Sequence, residues 1–398
     1  MTLKGKTVVL GVTGSIAAYK IASLASSLKK LDADVHVIMT RNATNFINPI
    51  TFETLTGNKC LVDTFDRNFE FKVEHVSLAK RADVFMVAPA SANVIAKLAN
   101  GIADDMLTTT ILACTCPKLV SPAMNTAMLN NPVTQDNIAT LSSKYDMKII
   151  TPANGYLACG DTGSGKMPEP EVLLEHIIAA LANKDMSGIN VLVTAGPTQE
   201  ALDPVRFLSN HSSGKMGYSI AKAAARRGAN VTLVSGKTAL SCPIGVNRID
   251  IVSAQDMADA VFANSDKSDI IIKAAAVADY RPINVASEKI KKKDNDDMSI
   301  PLERTTDILK TLGANKRDGQ FICGFSMETE NMIENTRAKL TKKNVDLMVA
   351  NNVKVEGAGF MGDTNIVTLI SADDMIELPL QSKDDVADKL LDYIMSKR

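Results

Sequence analysis

The stretch GYLACGDTGSGKMPEP (155–170) sets one thiol, Cys159, among closely spaced glycines. A thiol in such an exposed loop can deliver a proton when the loop closes over a site as a flap. The run GDTGSGKM (160–167) has the outline of a phosphate-binding P-loop. Met167, however, stands where a Ser or Thr is needed for the metal, and no strand leads into the run, so an ATPase of that kind is excluded. Nearer the start, GVTGSIAAYK (11–20) can aim backbone N–H groups and a helix dipole at a phosphate, although an ordinary tight turn is an equal reading. Thr40 closes the second apolar run, and Ser91 and Asn93 follow the strand ending at Ala88. Polar residues at strand carboxyl ends line the usual ligand crevice of an open α/β sheet; Ser91 can equally cap the helix that follows. His75, in EHVSLAKRAD, is a lone histidine ahead of a helix, a pattern more often structural than catalytic. Asn125, in PAMNTAML (122–129), sits at another strand end, with an Asx turn as the plain alternative.

A second set of chemically capable residues lies beyond 190. In VTAGPTQEALDPVRFLSNHSSGKMGYSIAKAAARRGA (193–229), Ser212, Ser213, Gly214 and Lys215 fall at a helix N-terminus, which suits a phosphate or triphosphate. Arg206 and Asn210 add donors, though a turn role for Asn210 is as good a reading. KAAAVADYRP (273–282) carries Asp279, a carboxylate able to recognise a base or stand near a metal. Lys289, in SEKIKKK, could neutralise the charge that an acyl-nucleotide spreads over phosphate oxygens; solvated surface is the competing reading of that charged run. Lys339 and Lys343 lie four residues apart, on one face of a helix, and could bracket a triphosphate or simply face water.

These residues need elements to hold them. Lys6–Val12, Val35–Thr40, Ala82–Ala88, Lys118–Ser121 and Lys148–Thr151 are apolar, strand-like runs, and Ser15–Leu31 has helical periodicity. Buried strands alternating with amphipathic helices predict a parallel, doubly wound sheet. NKDMSG (183–188) is a polar break. Strand-like runs then resume at Ile189–Thr194, Ala229–Val234, Asn247–Ile251, Asp269–Lys273, Phe321–Gly324 and Leu347–Ala350, with a helix over Lys215–Arg227. The fold class is therefore α/β with two domains, 1–187 and 188–398, the first flavodoxin-like or Rossmann-like and the second Rossmann-like; 398 residues are too many for one ordinary core. Neither turn reads GxGxxG, which weighs against an NADP-linked oxidoreductase.

A net charge of −1 argues against nucleic acid as the main partner. No apolar run approaches the ~20 residues of a membrane span, and the N-terminal apolar run leads into a turn and not a cleavage site, so no signal peptide is expected. Six scattered cysteines without a CxxC pair predict free thiols in a reduced, cytoplasmic protein, and four histidines without paired spacing make structural zinc a poor reading.

Taken together, GVTGSIAAYK, EHVSLAKRAD, APASANVIAKLANGIADDML, PAMN and ACGDTGSGKMPEP resemble the flavin-dependent cysteine decarboxylases of coenzyme A biosynthesis, over residues 1–182. The resemblance implies bound FMN, with its phosphate near Gly14 and Ser15 and further contacts near Thr40, Ser91 and Asn93. It implies that His75 acts on the substrate during oxidation and that Asn125 holds the substrate carboxylate. Cys159 would protonate the enethiol intermediate as the reduced flavin returns its electrons. A simple carboxylate does not lose CO2, because the carbanion left behind has no sink; oxidising the cysteine thiol end to a thioaldehyde supplies one. This chain has Leu129 and Lys166 where that family usually has Trp and Arg.

Residues 188–398 resemble the phosphopantothenate–cysteine ligase domain, through AGPTxExxDPVRxxxNxSSGKMG, AAAVADYRP, EKIKK, GF near 324 and KLxxKxxD. That resemblance implies CTP with Mg2+, and places Ala275, Asp279, Lys289, Phe325, Lys339 and Lys343 around the nucleotide, with Thr305, Thr306, Asp307 and Ile308 also near it. It leaves the metal ligands unassigned, Asp279 being a candidate. It implies that Asn210 handles the acyl-cytidylate and that Arg206 and Ala275 lie near the substrate. ERTTDI departs from the Lys-Asn-Pro that many relatives carry before Asp. In this order the halves resemble the bacterial bifunctional enzymes that join cysteine to 4′-phosphopantothenate and decarboxylate the product to 4′-phosphopantetheine. Those enzymes imply a dodecamer of trimeric flavin domains and dimeric ligase domains. A flavin-binding assembly protein without turnover is the rival reading, against which His75, Asn125, Cys159, Asn210 and Lys289 stand together.

Overall fold

The apolar run Thr7–Val12 forms β1, in which every residue after Thr7 is buried. A strand of that kind must be covered on both faces, which is the condition of a parallel sheet. The computed structural model describes residues 2–65, 74–156, 160, 162–291, 299–328, 332–352 and 362–398, and divides into two units, Met1–Ala182 and Asn183–Arg398.

In the first unit, β1 is followed by a 3-10 turn (Ile16–Ala18), α1 (Tyr19–Lys30), β2 (Asp34–Met39), α2 (Pro49–Thr56), α3 (Glu74–Arg81), β3 (Val84–Ala90), α4 (Ala92–Asn100) and α5 (Met106–Ala113). Then come β4 (Lys118–Pro122), α6 (Thr126–Leu129), α7 (Pro132–Ser143), β5 (Lys148–Ile149), β6 (Ala153–Tyr156), β7 (Thr162–Lys166) and α8 (Pro170–Leu181). The sheet order is β2-β1-β3-β4-β5, all parallel. Successive side chains of β1 point to opposite faces. Val8, Leu10 and Val12 pack with Leu24 and Leu28 of α1 and Ile177 of α8, while Val9 packs with Ile95 of α4 and Leu107 of α5. Burying each such Leu or Ile contributes roughly 1.5–3 kcal/mol. The strand order reverses between β1 and β3, so the loops leaving their carboxyl ends splay apart and open a crevice.

In the second unit come β8 (Asn190–Ala195), β9 (Gln199–Ala201), β10 (Phe207–Ser209), α9 (Lys215–Arg226), β11 (Asn230–Ser235), β12 (Val246–Asp250), α10 (Ala254–Ser265), β13 (Ile270–Lys273) and β14 (Tyr280–Pro282). They are followed by β15 (Leu302–Arg304), α11 (Ile308–Ala314), β16 (Phe321–Glu328), α12 (Met332–Lys343), β17 (Leu347–Asn352), β18 (Thr364–Ile370), β19 (Met375–Ser382) and α13 (Lys383–Lys397). The sheet runs β12-β11-β8-β13-β16-β17-β18-β19, with six parallel strands and two antiparallel ones at the edge.

Both units thus have the expected α/β class. The structure adds what the apolar runs do not announce. β18 and β19 extend the second sheet, and three short ribbons, β6–β7, β9–β10 and β14–β15, stand apart from the main sheets. Each ribbon is a pair of strands three to five residues long, so its sequence carries little hydrophobic period. β5 stops at Ile149, short of the expected Thr151. No helix among the described residues is long and apolar enough to cross a membrane.

Candidate functional site

A cleft of about 830 Å³ opens beyond the carboxyl ends of β1, β2 and β3, at the point where the strand order reverses. Gly14, Thr40, Ser91 and Asn93 all line it; Ser15 is not among the lining residues. Close approach explains the glycine: a Cβ on Gly14 would lie 2.8 Å from the Asn42 Cβ. Thr13 fastens the mouth by donating to the Pro89 carbonyl at 2.7 Å and accepting the Ser91 N–H at 3.0 Å. The Ser91 hydroxyl accepts the Val94 N–H and so caps α4, so its capping and lining roles hold together. The Ser15 hydroxyl accepts the Ala17 N–H and caps the 3-10 turn. Thr40 differs from these: its Oγ1 is buried and has no hydrogen-bond partner. A buried hydroxyl left unmatched costs about 1–3 kcal/mol. At the rim, Lys97 pairs with Asp104 at 2.7 Å, which raises the lysine above its usual range.

Asn125 caps the short helix α6 by accepting the Ala127 N–H at 2.8 Å. The β6–β7 ribbon docks beside it. Met124 donates its N–H to Gly165 and Thr126 donates its hydroxyl to Ser164 at 2.7 Å. Gly165, at φ +121°, is the residue that permits this contact, since a Cβ there would collide with the Met124 carbonyl. Asn125 therefore stands at the foot of the ribbon whose connection carries Cys159; Cys159 itself lies outside the described residues. His75 is half-buried on α3. Neither His75 nor Asn125 lines the cleft. Leu129 is buried, and Lys166 lies 3.6 Å from Glu169.

In the second unit several of the residues singled out from the sequence are hydrogen-bonded near the carboxyl ends of β8, β13 and β16. Thr198 donates its N–H to Ala276, and its hydroxyl accepts the Ala278 N–H. Thr194 accepts the Ala275 N–H at 3.1 Å. Asn210 donates its amide to the Val277 carbonyl at 3.1 Å. The β14–β15 ribbon then brings Thr305 back, so that its N–H meets the Asp279 carbonyl at 3.0 Å and its hydroxyl meets the Ala278 carbonyl at 2.6 Å. Thr306 follows, and Asp307 caps α11, which starts at Ile308. Lys343 of α12 donates to Asp307 at 3.2 Å, and Lys339, one turn earlier, reaches the Ser326 hydroxyl beside Phe325. Partial burial pushes the Asp307 carboxyl up, but the Lys310 N–H and then Lys343 together hold it below the usual carboxylate range. Lys289 is exposed, and Arg206 is bonded to Asp203 and to the Ile290 carbonyl.

Two family models match the chain: one described as Flavoprotein over residues 1–182, the other as DNA/pantothenate metabolism flavoprotein C-terminal domain over 186–397. A coenzyme A biosynthesis bifunctional protein CoaBC of Vibrio vulnificus is 46% identical over 99% of this chain and 98% of its own length. The protein of that name from Bacillus subtilis is 47% identical over 98% and 97%. This chain belongs to the family of coenzyme A biosynthesis bifunctional proteins. The member from Escherichia coli, 42% identical over all of this chain and 98% of its own, marks a wider span of the same family.

Within this bifunctional family member, the structure adds two candidate residues, Lys273 and Asp203. Lys273 ends β13, in register with Thr194 on one side and Gly324 on the other, so it projects where the other ligase-half residues gather. Burial, helped by the positive charge of Lys343 and opposed by Asp307 and Asp279, lowers its ammonium to about 8. The signal was available: IIIK (270–273) is an apolar strand run closed by a cation. Asp203, buried beneath Arg206, was also missed, because an Asp before Pro reads as turn chemistry.

Proposed function

We propose that the chain performs two consecutive steps of coenzyme A biosynthesis: the second unit ligates cysteine to 4′-phosphopantothenate, and the first decarboxylates the product. The observation that carries the reading is the cleft at the β1/β3 reversal, with the Thr40 hydroxyl buried and unpartnered in its wall.

The residues present fit FMN. A cleft of about 830 Å³ is of ligand size, Gly14 keeps a phosphate-approach turn free of a side chain, and Thr40 has hydrogen-bonding capacity to spare. Gly14, Ser15, Thr40, Ser91 and Asn93 would hold it. When bound, FMN would supply a reversible two-electron sink for oxidation of the substrate's thiol end. The chain's own groups then handle protons and position. The Asn125 amide donates to the substrate carboxylate, fixing the bond that breaks. His75 takes the thiol proton. Cys159, carried by the connection of the β6–β7 ribbon, gives a proton to the enethiol carbon after CO2 has left.

In the ligase half, the 4′-phosphopantothenate carboxylate attacks the α-phosphorus of CTP, and pyrophosphate leaves. The cysteine amine then attacks the acyl carbon, and CMP leaves. Lys339, Lys343 and Lys273 supply positive charge for the phosphates, and Lys289 neutralises the charge that grows as the acyl-cytidylate forms. Ala275, Thr305, Thr306, Asp307, Ile308 and Phe325 frame the nucleotide. Asn210 holds the acyl-cytidylate, and Mg2+ enters with the triphosphate, with Asp279 as the carboxylate available to it.

Assembly into homo-oligomers belongs to the same reading. His75 and Asn125 lie off the cleft wall of their own chain, and Ile16, Tyr19, Met128 and Val133 expose apolar surface on the first unit. Cytoplasmic residence fits the free thiols of Cys60, Cys114, Cys116, Cys242 and Cys323. One incubation tests the whole reading: purified protein with 4′-phosphopantothenate, CTP, Mg2+ and cysteine, followed by mass analysis. The expected result is 4′-phosphopantetheine, CMP and a yellow protein. A colourless protein that consumes no CTP would overturn it.

A further inference from the structure

The β9–β10 ribbon is a hairpin whose tip, Leu202–Arg206, is closed by the Leu202 N–H to the Arg206 carbonyl at 2.9 Å. Inside the tip sits Asp203, 3% exposed. Its Oδ1 accepts the N–H groups of Val205 and Arg206, both at 2.8 Å. Its Oδ2 accepts the Arg206 guanidinium twice, at 2.9 and 2.6 Å, and then the N–H of Ile290 at 3.1 Å. The same guanidinium nitrogen that makes the shorter bond also donates to the Ile290 carbonyl at 2.7 Å. Thus both backbone groups of Ile290 end on one ion pair, whose carboxylate is buried and whose guanidinium is partly exposed. Three residues before Lys289, the Ala286 N–H meets the Leu202 carbonyl at 3.0 Å. The segment carrying Lys289 is tethered on both sides to the hairpin tip.

The geometry points to Asp203 and Arg206 as positioning residues that act through Lys289, with Arg206 holding the lysine segment and not the substrate's phosphate. The inference rests on the ligase reading above. The physical argument is one of spent donors and entropy. Two of the guanidinium's three nitrogens, Nε and Nη2, are already committed to protein oxygens, Nη2 to two of them, so an anion would have to displace the Asp203 carboxylate to gain the Nε–Nη2 fork that makes arginine a good phosphate ligand. An exposed lysine on an untethered segment would, by contrast, lose freedom each time it met the developing charge, and pre-positioning removes that cost. The Arg206 guanidinium holds the Asp203 carboxyl well below the usual carboxylate range, so the clasp stays charged at any pH at which the enzyme works.

The test uses full-length Asp203→Asn, Arg206→Lys, Lys289→Gln and the Asp203→Asn/Lys289→Gln double variant. Acyl-cytidylate formation is followed by pyrophosphate release, and hydrogen exchange is followed over 286–291. Asp203→Asn and Arg206→Lys should each lower kcat for pyrophosphate release by ~10- to 100-fold, the range for a small misplacement of a catalytic group, with KM for 4′-phosphopantothenate moved less than about threefold. Exchange at Ile290 should quicken in both, and not in Lys289→Gln. The double variant should be no slower than Lys289→Gln alone, since the residues act as a unit. A raised KM at unchanged kcat would overturn the inference in favour of direct phosphate binding, and additive losses would overturn it in favour of an independent role. Should Asp203→Asn fail to fold, Arg206→Lys carries the same comparisons. A wild-type protein that consumes no CTP would sink the ligase reading instead, while the exchange data would still report whether the clasp holds the segment.

Discussion

The two candidate sites are built on opposite principles. In the first unit the wall of the cleft contains polar capacity that the protein does not use, most plainly the buried Thr40 hydroxyl, and the proposed reacting groups His75 and Asn125 stand away from it. In the second unit the polar groups answer one another: Asp203 with Arg206, Asp307 with Lys343, Asn210 with the Val277 carbonyl. A site with spare hydrogen-bonding capacity suits a resident cofactor, whose arrival repays the burial of unmatched groups. A pre-wired site suits substrates that come and go, because its geometry persists between turnovers.

That contrast can be broken most forcefully at the reacting groups. Cys159→Ser should leave flavin bound but slow decarboxylation by on the order of 10²- to 10⁴-fold, the span of a lost general acid, with an enethiol two mass units below the normal product. Normal turnover in that variant would remove Cys159 from the mechanism. Next, Lys289→Gln should lower acyl-cytidylate formation by on the order of 10²- to 10³-fold, as for a lost transition-state donor; CTP converted to CMP at the native rate would contradict the assignment. Thr40→Val probes the spare capacity directly. It should leave the flavin-free protein as stable or more so, by about 1 kcal/mol, while weakening flavin binding about tenfold. Melting curves with and without FMN would show it, and equal losses in both forms would mean that Thr40 is merely structural. The smallest effect concerns Lys273. Its ammonium, lowered to about 8, is charged below that pH and neutral above it, so KM for CTP should climb a few-fold as pH rises through 8. Lys273→Met should flatten that limb, and an unchanged profile would place Lys273 outside the nucleotide's reach.

Much of each site was legible in the residues, but unequally. Gly14, Thr40, Ser91 and Asn93 all follow strands, and strand ends can be read from apolar runs; their meeting in one cleft follows from the sheet order. Ser15, which the resemblance implies as a flavin contact, caps the 3-10 turn with its hydroxyl in this structure. The ribbons β9–β10 and β14–β15 are not legible in the sequence, because three-residue strands are too short to carry a hydrophobic period. With them went the reason that Thr305 stands beside Asp279, and the burial of Asp203.

Sequence alone determined the class of fold and the chemical types at the strand ends, since these follow from local patterns of apolar and polar residues. Only the tertiary structure decided that Arg206 is spent on Asp203 and Ile290, and that Lys273 loses solvent next to Lys343. A hydrogen bond or a shifted ionisation depends on what long-range folding sets within a few ångströms and on how much water it leaves, and neither is written in the neighbouring residues.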